Sequence, residues 1–248
     1  MNKVRVRKNF SKAASSYKKF SDIQKISANQ LIAFINRHNI KFNNRKILDI
    51  GSGDGYISQI INKDNFIVNF DISNLMLNSA LIKKDIVNIQ GDMDFLPFDL
   101  NYFDIIISNF ALQWSSNNLN LIQDILSNLT RGKILIFALP NNNSLKELRN
   151  VRSELKCNFY LKKLPDHFLI LDSINNIQSL FSENYHHEEI YHNPVQALKK
   201  IKKIGANYSN NLTTNINKSM LLKLLQYNNS DNKNFILSWD ISYFLCIK

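Results

Sequence analysis

The sequence predicts an α/β fold built on a doubly wound, mostly parallel sheet, and three observations carry that prediction. The first is Lys46–Tyr56, K-I-L-D-I-G-S-G-D-G-Y, where Ile47, Leu48 and Ile50 form a short apolar run that Gly51, Ser52, Gly53, Asp54 and Gly55 interrupt. Helical periodicity then resumes at Ile57, Ile60 and Ile61. A strand buried on both faces reads as such a run. A glycine loop between strand and helix lets backbone N–H groups and a helix N-terminus approach a ligand. The second observation is that three further short apolar runs each end in a polar or acidic group. The third is length: 248 residues suit one large α/β domain with an insertion. At 44% hydrophobic residues and four prolines the chain is not that of a disordered protein. Ligands of doubly wound sheets bind outside the carboxyl ends of the strands, so the site belongs on that edge.

In chain order, Ser11–Lys19 and Ser21–Arg37 carry apolar positions such as Ile23, Ile26, Leu31, Phe34 and Ile35 at the spacing of one or two amphipathic helices. The first strand and its loop follow, then a helix near Tyr56–Asn62. Phe66–Phe70 reads as a second strand ended by Asp71, with a helix expected over Ser73–Lys83. Ile86–Gln90 is a third strand, leading into G-D-M-D-F-L-P-F. Phe103–Ser108 is a fourth, running into N-F-A-L-Q-W at Asn109–Trp114. Leu119, Ile122, Ile125, Leu126 and Leu129 mark another helix, and Gly132–Leu139 a fifth strand stopped by Pro140. Ser144 to about Leu180 is mostly helical in pattern and broken by Pro165, as a lid near a substrate would be. His186–Tyr191 reads as a strand, Pro194–Ile204 as a helix with proline in its first turn, and Ser219–Leu225 as a short helix. Asn234–Ile247 supplies a last strand or hairpin.

The loop's chemistry narrows the ligand. A dinucleotide loop is G-x-G-x-x-G, with a pyrophosphate on the helix N-terminus. Here the spacing is G-x-G-x-G, and Tyr56 stands where the third glycine belongs. Asp49 and Asp54 beside the loop repel a pyrophosphate but suit a cation bearing hydroxyl and amino groups. S-adenosylmethionine, with its sulfonium, α-ammonium and ribose diol, is such a ligand; a tight turn with no ligand is the bland alternative. Asp71, twenty positions after Gly51, stands where an acidic residue accepts hydrogen bonds from ribose hydroxyls. It is equally placed to cap the next helix, as is Ser73. Asp92 is placed to accept an adenine amine with Met93 packed on the ring, or to be a turn residue.

Together, L-D-I-G-S-G-D-G, F-D-I-S, G-D-M-D-F-L-P-F and F-D-I-I-I-S-N-F-A-L-Q-W resemble the motifs of class I S-adenosylmethionine-dependent methyltransferases. More narrowly, the chain resembles the malonyl-acyl-carrier-protein O-methyltransferases, which open pimeloyl synthesis for biotin. Phe10–Gln24, the Gln-Trp ending at Gln113–Trp114, and L-K-K-I-K-K-I-G-A-N at Leu198–Asn207 carry that narrower likeness. The resemblance implies a Rossmann-like, seven-stranded sheet with an antiparallel last strand. It divides one domain into a helical cap at 1–42, a cofactor-binding core at 43–140, a lid at 141–185 and a C-terminal part at 186–248. It places Phe10, Gln24, Asp49, Gly51, Ser52, Gly53, Gly55, Asp71, Ile72, Asp92, Met93, Asn109 and Phe110 around S-adenosylmethionine, which leaves as S-adenosylhomocysteine, with no metal. Tyr17, Gln113 and Trp114 are implied to position the substrate. Related sequences carry an arginine just before Phe-Leu-Pro in the lid; Lys162-Lys163-Leu164-Pro165 stands here, keeping charge but losing the bidentate fork.

A net charge of +11 invites a nucleic-acid reading. Yet the chain is rich in Asn, Ile and Lys, as an AT-rich coding sequence makes it, and Ser108-Asn109-Phe110-Ala111 stands where an RNA methyltransferase carries an N-P-P-Y-type motif. No nucleic-acid partner is expected. Acyl carrier proteins are strongly acidic, so Lys162–Lys163 and Lys199, Lys200, Lys202 and Lys203 are candidates for docking one; solvated helix faces are the alternative. Cys157 and Cys246 suit a reduced cytoplasmic protein, and no apolar stretch approaches a membrane span. A monomer is expected. His186, His187 and His192 lack partners at metal-ligand spacing and read as strand residues. A malonyl carboxylate is ionised at neutral pH and is its own nucleophile, so no general base is expected. The competing readings are methyl transfer to another small molecule, such as a quinone precursor or another carboxylic acid, and, behind it, an RNA methyltransferase.

Overall fold

The computed structural model describes residues 2–61, 63–80, 83–157, 159, 161–206, 218–227 and 234–248. Two helices, α1 (Lys3–Phe20) and α2 (Asp22–Arg37), precede the sheet. The chain then alternates through β1 (Lys46–Ile50), α3 (Tyr56–Ile61), β2 (Phe66–Asp71), α4 (Asn74–Leu77), β3 (Ile86–Gln90), β4 (Ile105–Asn109), α5 (Asn118–Asn128) and β5 (Ile134–Pro140). Two helices, α6 (Lys146–Glu154) and α7 (His167–Ser173), lead into β6 (Ser179–Tyr191); α8 (Pro194–Lys203), α9 (Lys218–Gln226) and β7 (Phe235–Ile247) complete it. The seven strands lie in the order β3-β2-β1-β4-β5-β7-β6. The first five are parallel, and β7 runs antiparallel between β5 and β6. The strand order reverses between β1 and β4, the switch point at which open α/β sheets bind ligands.

The central strands are apolar throughout because they are covered on both faces. Side chains alternate across a strand. Ile47, Ile105, Ile107 and Ile136 pack in one layer with Leu31, Phe34 and Ile35 of α2. Leu48, Ile50, Ile106, Leu135 and Phe137 pack in the other with Ile122, Ile125 and Leu126 of α5 and Ile170 of α7. Each fully buried Ile or Leu contributes about 1.5–3 kcal/mol, so these two layers fix the sheet whose edge carries the site.

Several elements differ from the sequence expectation. The first helix begins at Lys3 rather than Ser11, with Asn2 accepting from the Arg5 N–H as its cap. The helix expected over Ser73–Lys83 is only α4, four residues long. Ser73 caps it, accepting from the Met76 N–H at 3.3 Å, but Ser79 Oγ bonds the Met76 carbonyl at 2.6 Å, a local side-chain bond that competes with helix continuation. Residues 81 and 82 lie outside the described residues, as do Asn62 and Asn207. The strand expected from His186 starts at Ser179, because an edge strand flanked by solvent alternates partly and fully exposed polar residues instead of showing an apolar run. The C-terminal segment is one 13-residue strand rather than a hairpin. Pro140 is the last residue of β5 rather than its stop.

Candidate active site at the switch point

Asp49 lies on β1, one residue before its end, and the loop after it turns back on the sheet. Gly51 and Ser52 N–H groups donate to the Phe70 carbonyl at 2.7 and 3.2 Å, and Gly55 donates to the Ser52 carbonyl at 2.9 Å. Gly53 donates to Asp71 Oδ2 at 3.0 Å. These amides are spent inside the protein, which leaves no nest for a pyrophosphate and agrees with the departure from the dinucleotide spacing. Gly51 adopts φ +72°, and a Cβ there would sit 2.1 Å from the Ala111 Cβ. Only glycine lets the loop lie this close to the end of β4.

Three adjoining cavities open along this edge. The first, about 540 Å³, is walled by Gly51 and Gly53 of the loop, Asp71 and Ile72 after β2, Asp92 and Met93 after β3, and Asn109 and Phe110 at the end of β4. Phe10 and Tyr17 of α1 and Trp114 close it. The second, about 360 Å³, lies between α2 and the loop and includes Gln24, Asp49, Ser52 and Asp54. The third, about 680 Å³ and lined mostly by apolar groups, holds Gln113, Trp114, Leu145, Lys162 and Trp239 with the inner face of α8. Among the described residues Tyr17 alone lines all three. The predicted residues from four separate strand ends and the N-terminal helices therefore converge. Gly55 does not join them: its open side faces Ala80, Ser58 and Asn69, and it serves packing.

The electrostatics are those of a cation site. Asp49 is buried, one of its oxygens has no hydrogen-bond partner, and its carboxyl is pushed up to about 8 by burial first, then by Asp71 and Asp54. Burial raises Asp71 to about 6, opposed by its bonds from the Ser73 and Gly53 N–H groups. Asp54 is raised too, by burial, with Lys25 and Lys18 opposing. Ser52 Oγ and Gln24 Oε1 are also buried without partners in the second cavity. Three unpaired oxygens around an acidic pair call for a ligand that brings both positive charge and hydrogen-bond donors.

Other groups are already engaged. Asn109 accepts from Ser27 Oγ at 2.7 Å and donates to the Gln24 carbonyl at 2.9 Å, so its side chain ties β4 to α2. Phe110 follows at φ +53°, a left-handed conformation rare for an aromatic residue and held by its N–H bond to the Ala138 carbonyl. Gln113 donates to the Phe110 carbonyl at 2.8 Å, while its buried Oε1 has no partner. Phe10 stands edge-on to Trp114 at 5.4 Å. Burial and the neighbouring Asp54 and Asp71 lift the Tyr17 phenol far above its usual value of 10.0, so it remains a neutral donor.

Sequence reasoning missed Lys3. Its Nζ donates to Asp92 Oδ1 at 2.9 Å and to the Trp114 carbonyl at 3.1 Å, and pairs with Asp94 Oδ2 at 2.8 Å. Asp94 is partly buried, yet bonds from Lys3 and from Ser116 and Ser115 hold it down at about 2. The signal was present: Val6, Phe10, Ala13 and Tyr17 lie at i, i+4, i+7 and i+11, one face of a helix that must begin well before Ser11. Of the predicted docking lysines, Lys200 pairs with Asp22 at 3.0 Å and Glu189 at 2.6 Å, and Lys203 lies over the Phe20 ring; Lys199 and Lys202 are exposed. Lys163 is exposed, and Lys162 sits 5.2 Å over the Trp114 ring. On β6, His186 faces Asp240 and Glu188, each at 3.2 Å.

Comparison with known proteins gives the same picture. A family model described as a methyltransferase domain matches residues 41–236. Malonyl-[acyl-carrier protein] O-methyltransferase 2 of Ilyobacter polytropus is 32% identical over 220 residues, covering 84% of this chain and 82% of that one. Malonyl-[acyl-carrier protein] O-methyltransferase of Buchnera aphidicola subsp. Baizongia pistaciae is 28% identical over 258 residues, covering 96% of each. A solved Bacillus halodurans chain described as a methyltransferase superposes with a TM-score of 0.61 at 14% identity, covering 89% of this chain and 99% of that one, a likeness of fold.

Proposed function

Because this chain belongs to the malonyl-[acyl-carrier protein] O-methyltransferase family of methyltransferase-domain proteins, we propose that it methylates the free carboxylate of malonyl-acyl carrier protein with S-adenosylmethionine as donor, the step that starts pimeloyl synthesis for biotin. The observation that carries the reading is Tyr17, a half-buried neutral phenol standing where the cation site meets the apolar cavity. The donor fits the residues present. Asp49, Gln24 and Ser52 offer unpaired oxygens to its ammonium, Asp71 offers carboxylate lone pairs to a ribose, and Asp92 with Met93 and Ile72 bounds the remaining space for the adenine.

When bound, S-adenosylmethionine supplies a methyl group already activated by its sulfonium. This chain's residues then have to orient, hold charge and exclude water. Tyr17 donates its hydroxyl to one oxygen of the incoming carboxylate, and Lys162 in the wall of the same cavity supplies positive charge. Trp114 and Phe10 shut the reacting region from solvent. The carboxylate needs no deprotonation at neutral pH, so no side chain acts as general base. Orientation and preorganised charge then supply the rate, with orientation able to contribute about 7–11 kcal/mol. The helices α1 and α2 act as a cap over the donor, and the segment between Asn141 and the start of β6, with α6 and α7, as a lid over the acceptor. The expected lid boundary at 185 falls inside β6, whose residues from Ser179 pair with β7 in the sheet.

Incubation with methyl-labelled donor and, in parallel, malonyl-acyl carrier protein, malonyl-coenzyme A and acetyl-acyl carrier protein tests this. Label on the malonyl carrier as a base-labile ester, with none on the acetyl carrier, is expected. Cofactor binding without label on either malonyl thioester overturns it.

A further inference from the structure

A fourth opening, a broad groove of about 1440 Å³, lies outside the site described above. Its floor and walls carry Arg149 and Arg152, three apart on α6, together with Lys162 and Lys163. Among the described residues the one acidic side chain lining it is that of Asp166. That carboxylate is spent locally, accepting from the Phe168 and Leu169 N–H groups at 2.8 and 3.1 Å and from Asn142 Nδ2 at 2.6 Å. The groove thus presents four cations against one engaged carboxylate. It shares Leu161, Lys162 and Leu164 with the apolar cavity that Tyr17 and Trp114 line, so the two adjoin across these side chains. Phe168 and Leu169, 68% and 59% exposed, stand beside it on α7.

We infer that this groove is the docking face for the acidic carrier protein, with Arg152 and Lys163 receiving its carboxylates and arm phosphodiester and the thioester end passing Lys162 into the Tyr17 cavity. The inference rests on the malonyl-carrier reading of the same site and says where the partner sits. Charge complementarity supports it, and so does adjacency: an arm passing the shared side chains reaches the transfer site without crossing the donor cavity. The exposed Phe168 and Leu169 give a protein surface an apolar foothold that a free thioester does not need. Arg149 is held by bonds to the Ser144 and Asn142 carbonyls and shapes the groove. The lysines of α8 are the competing face, and Lys200 there is committed to Asp22 and Glu189.

The test compares full-length wild type with Arg152→Glu, at a half-buried position, and, separately, Lys163→Glu, at an exposed one, on malonyl-acyl carrier protein and on malonyl-pantetheine, which lacks both phosphate and protein. A rise in KM for the carrier substrate of about tenfold or more, with kcat/KM for malonyl-pantetheine within about twofold, is expected. Raising salt should narrow the gap between variant and wild type. Equal losses on both substrates would mean the groove serves the transfer site or the fold, and no loss on either would mean the carrier docks elsewhere; both overturn the inference. A carrier-specific loss on Lys199→Glu/Lys202→Glu instead would move docking to α8 and overturn it too. If wild type methylates neither malonyl thioester, the functional reading itself fails, a different result from any of these.

Discussion

Asp49 makes cofactor affinity depend on pH in a way that can be worked out from the structure. Its carboxyl titrates at about 8 in the ligand-free protein because burial and two neighbouring aspartates disfavour its charge. A bound cation favours the ionised form, so binding must drive a proton off. At pH 6.5 about 3% of the ligand-free protein has Asp49 ionised and at pH 7.5 about 24%, an increase of roughly eightfold in the competent form. The donor's own α-ammonium, titrating at about 7.7–8.0, loses about a third of its charge across the same window, leaving a net gain of roughly fivefold in affinity. Asp71, at about 6, is mostly ionised throughout and adds little. Calorimetry in buffers of different ionisation enthalpy should show release of about 0.8 proton per site near pH 7. Asp49→Asn should bind more weakly and lose the rise, its affinity drifting down with pH as the ligand's ammonium titrates. A flat wild-type profile, or an unchanged rise in the Asn variant, would refute the assignment of Asp49 as the cation's counter-charge. The same shift has a stability consequence. The native state keeps a proton that the unfolded chain, at 3.8, has already released, so the ligand-free protein should lose stability as pH rises from about 4 towards 8. The donor-induced rise in Tm should grow over that range.

Four further outcomes follow from the same geometry. Tyr17→Phe removes one hydrogen bond to a charged group, worth about 1.5–3 kcal/mol, so kcat/KM for the malonyl carrier should fall about 10- to 150-fold while donor Kd stays within about twofold. Wild-type kcat should be flat between about pH 7 and 9, because no base is used and burial keeps the Tyr17 phenol protonated; a bell-shaped profile would contradict this. Gly51→Ala places a methyl 2.1 Å from the Ala111 Cβ at φ +72°, so donor binding should weaken by more than about tenfold and chemical denaturation should show a loss of at least about 1–2 kcal/mol. Leu31→Ala, deep in the layer under α2, should cost about 2–5 kcal/mol by denaturant titration.

The legible parts of this molecule are those where local sequence and burial coincide. Lys46–Ile50 is readable because both faces of β1 are covered, and the loop because glycines at positive φ admit few substitutes. Asp71 and Asp92 could be placed in the site because a parallel sheet delivers successive strand ends to one edge. What escaped depends on contacts between distant segments. Lys3 acquires its role only by meeting Asp92 and Asp94, some ninety residues on. Lys200 looks like a surface charge until Asp22 and Glu189 are brought to it by folding. β6 hides because an edge strand carries the polar residues that also mark loops. Lys162–Lys163 stand out as a charged pair, but the contribution of Arg149 and Arg152 was invisible for a related reason: α6 carries unremarkable charges by itself, and only the fold sets them on one face with those lysines.

The methylated atom separates carboxylate transfer from every other methyl transfer. Intact-mass analysis of malonyl-acyl carrier protein after incubation with this protein and S-adenosylmethionine should show a gain of one CH2, absent from the acetyl carrier, and with methyl-labelled donor base should release the label as volatile methanol. Label that base does not release as methanol, or a gain that also appears on the acetyl carrier, would contradict carboxylate methylation.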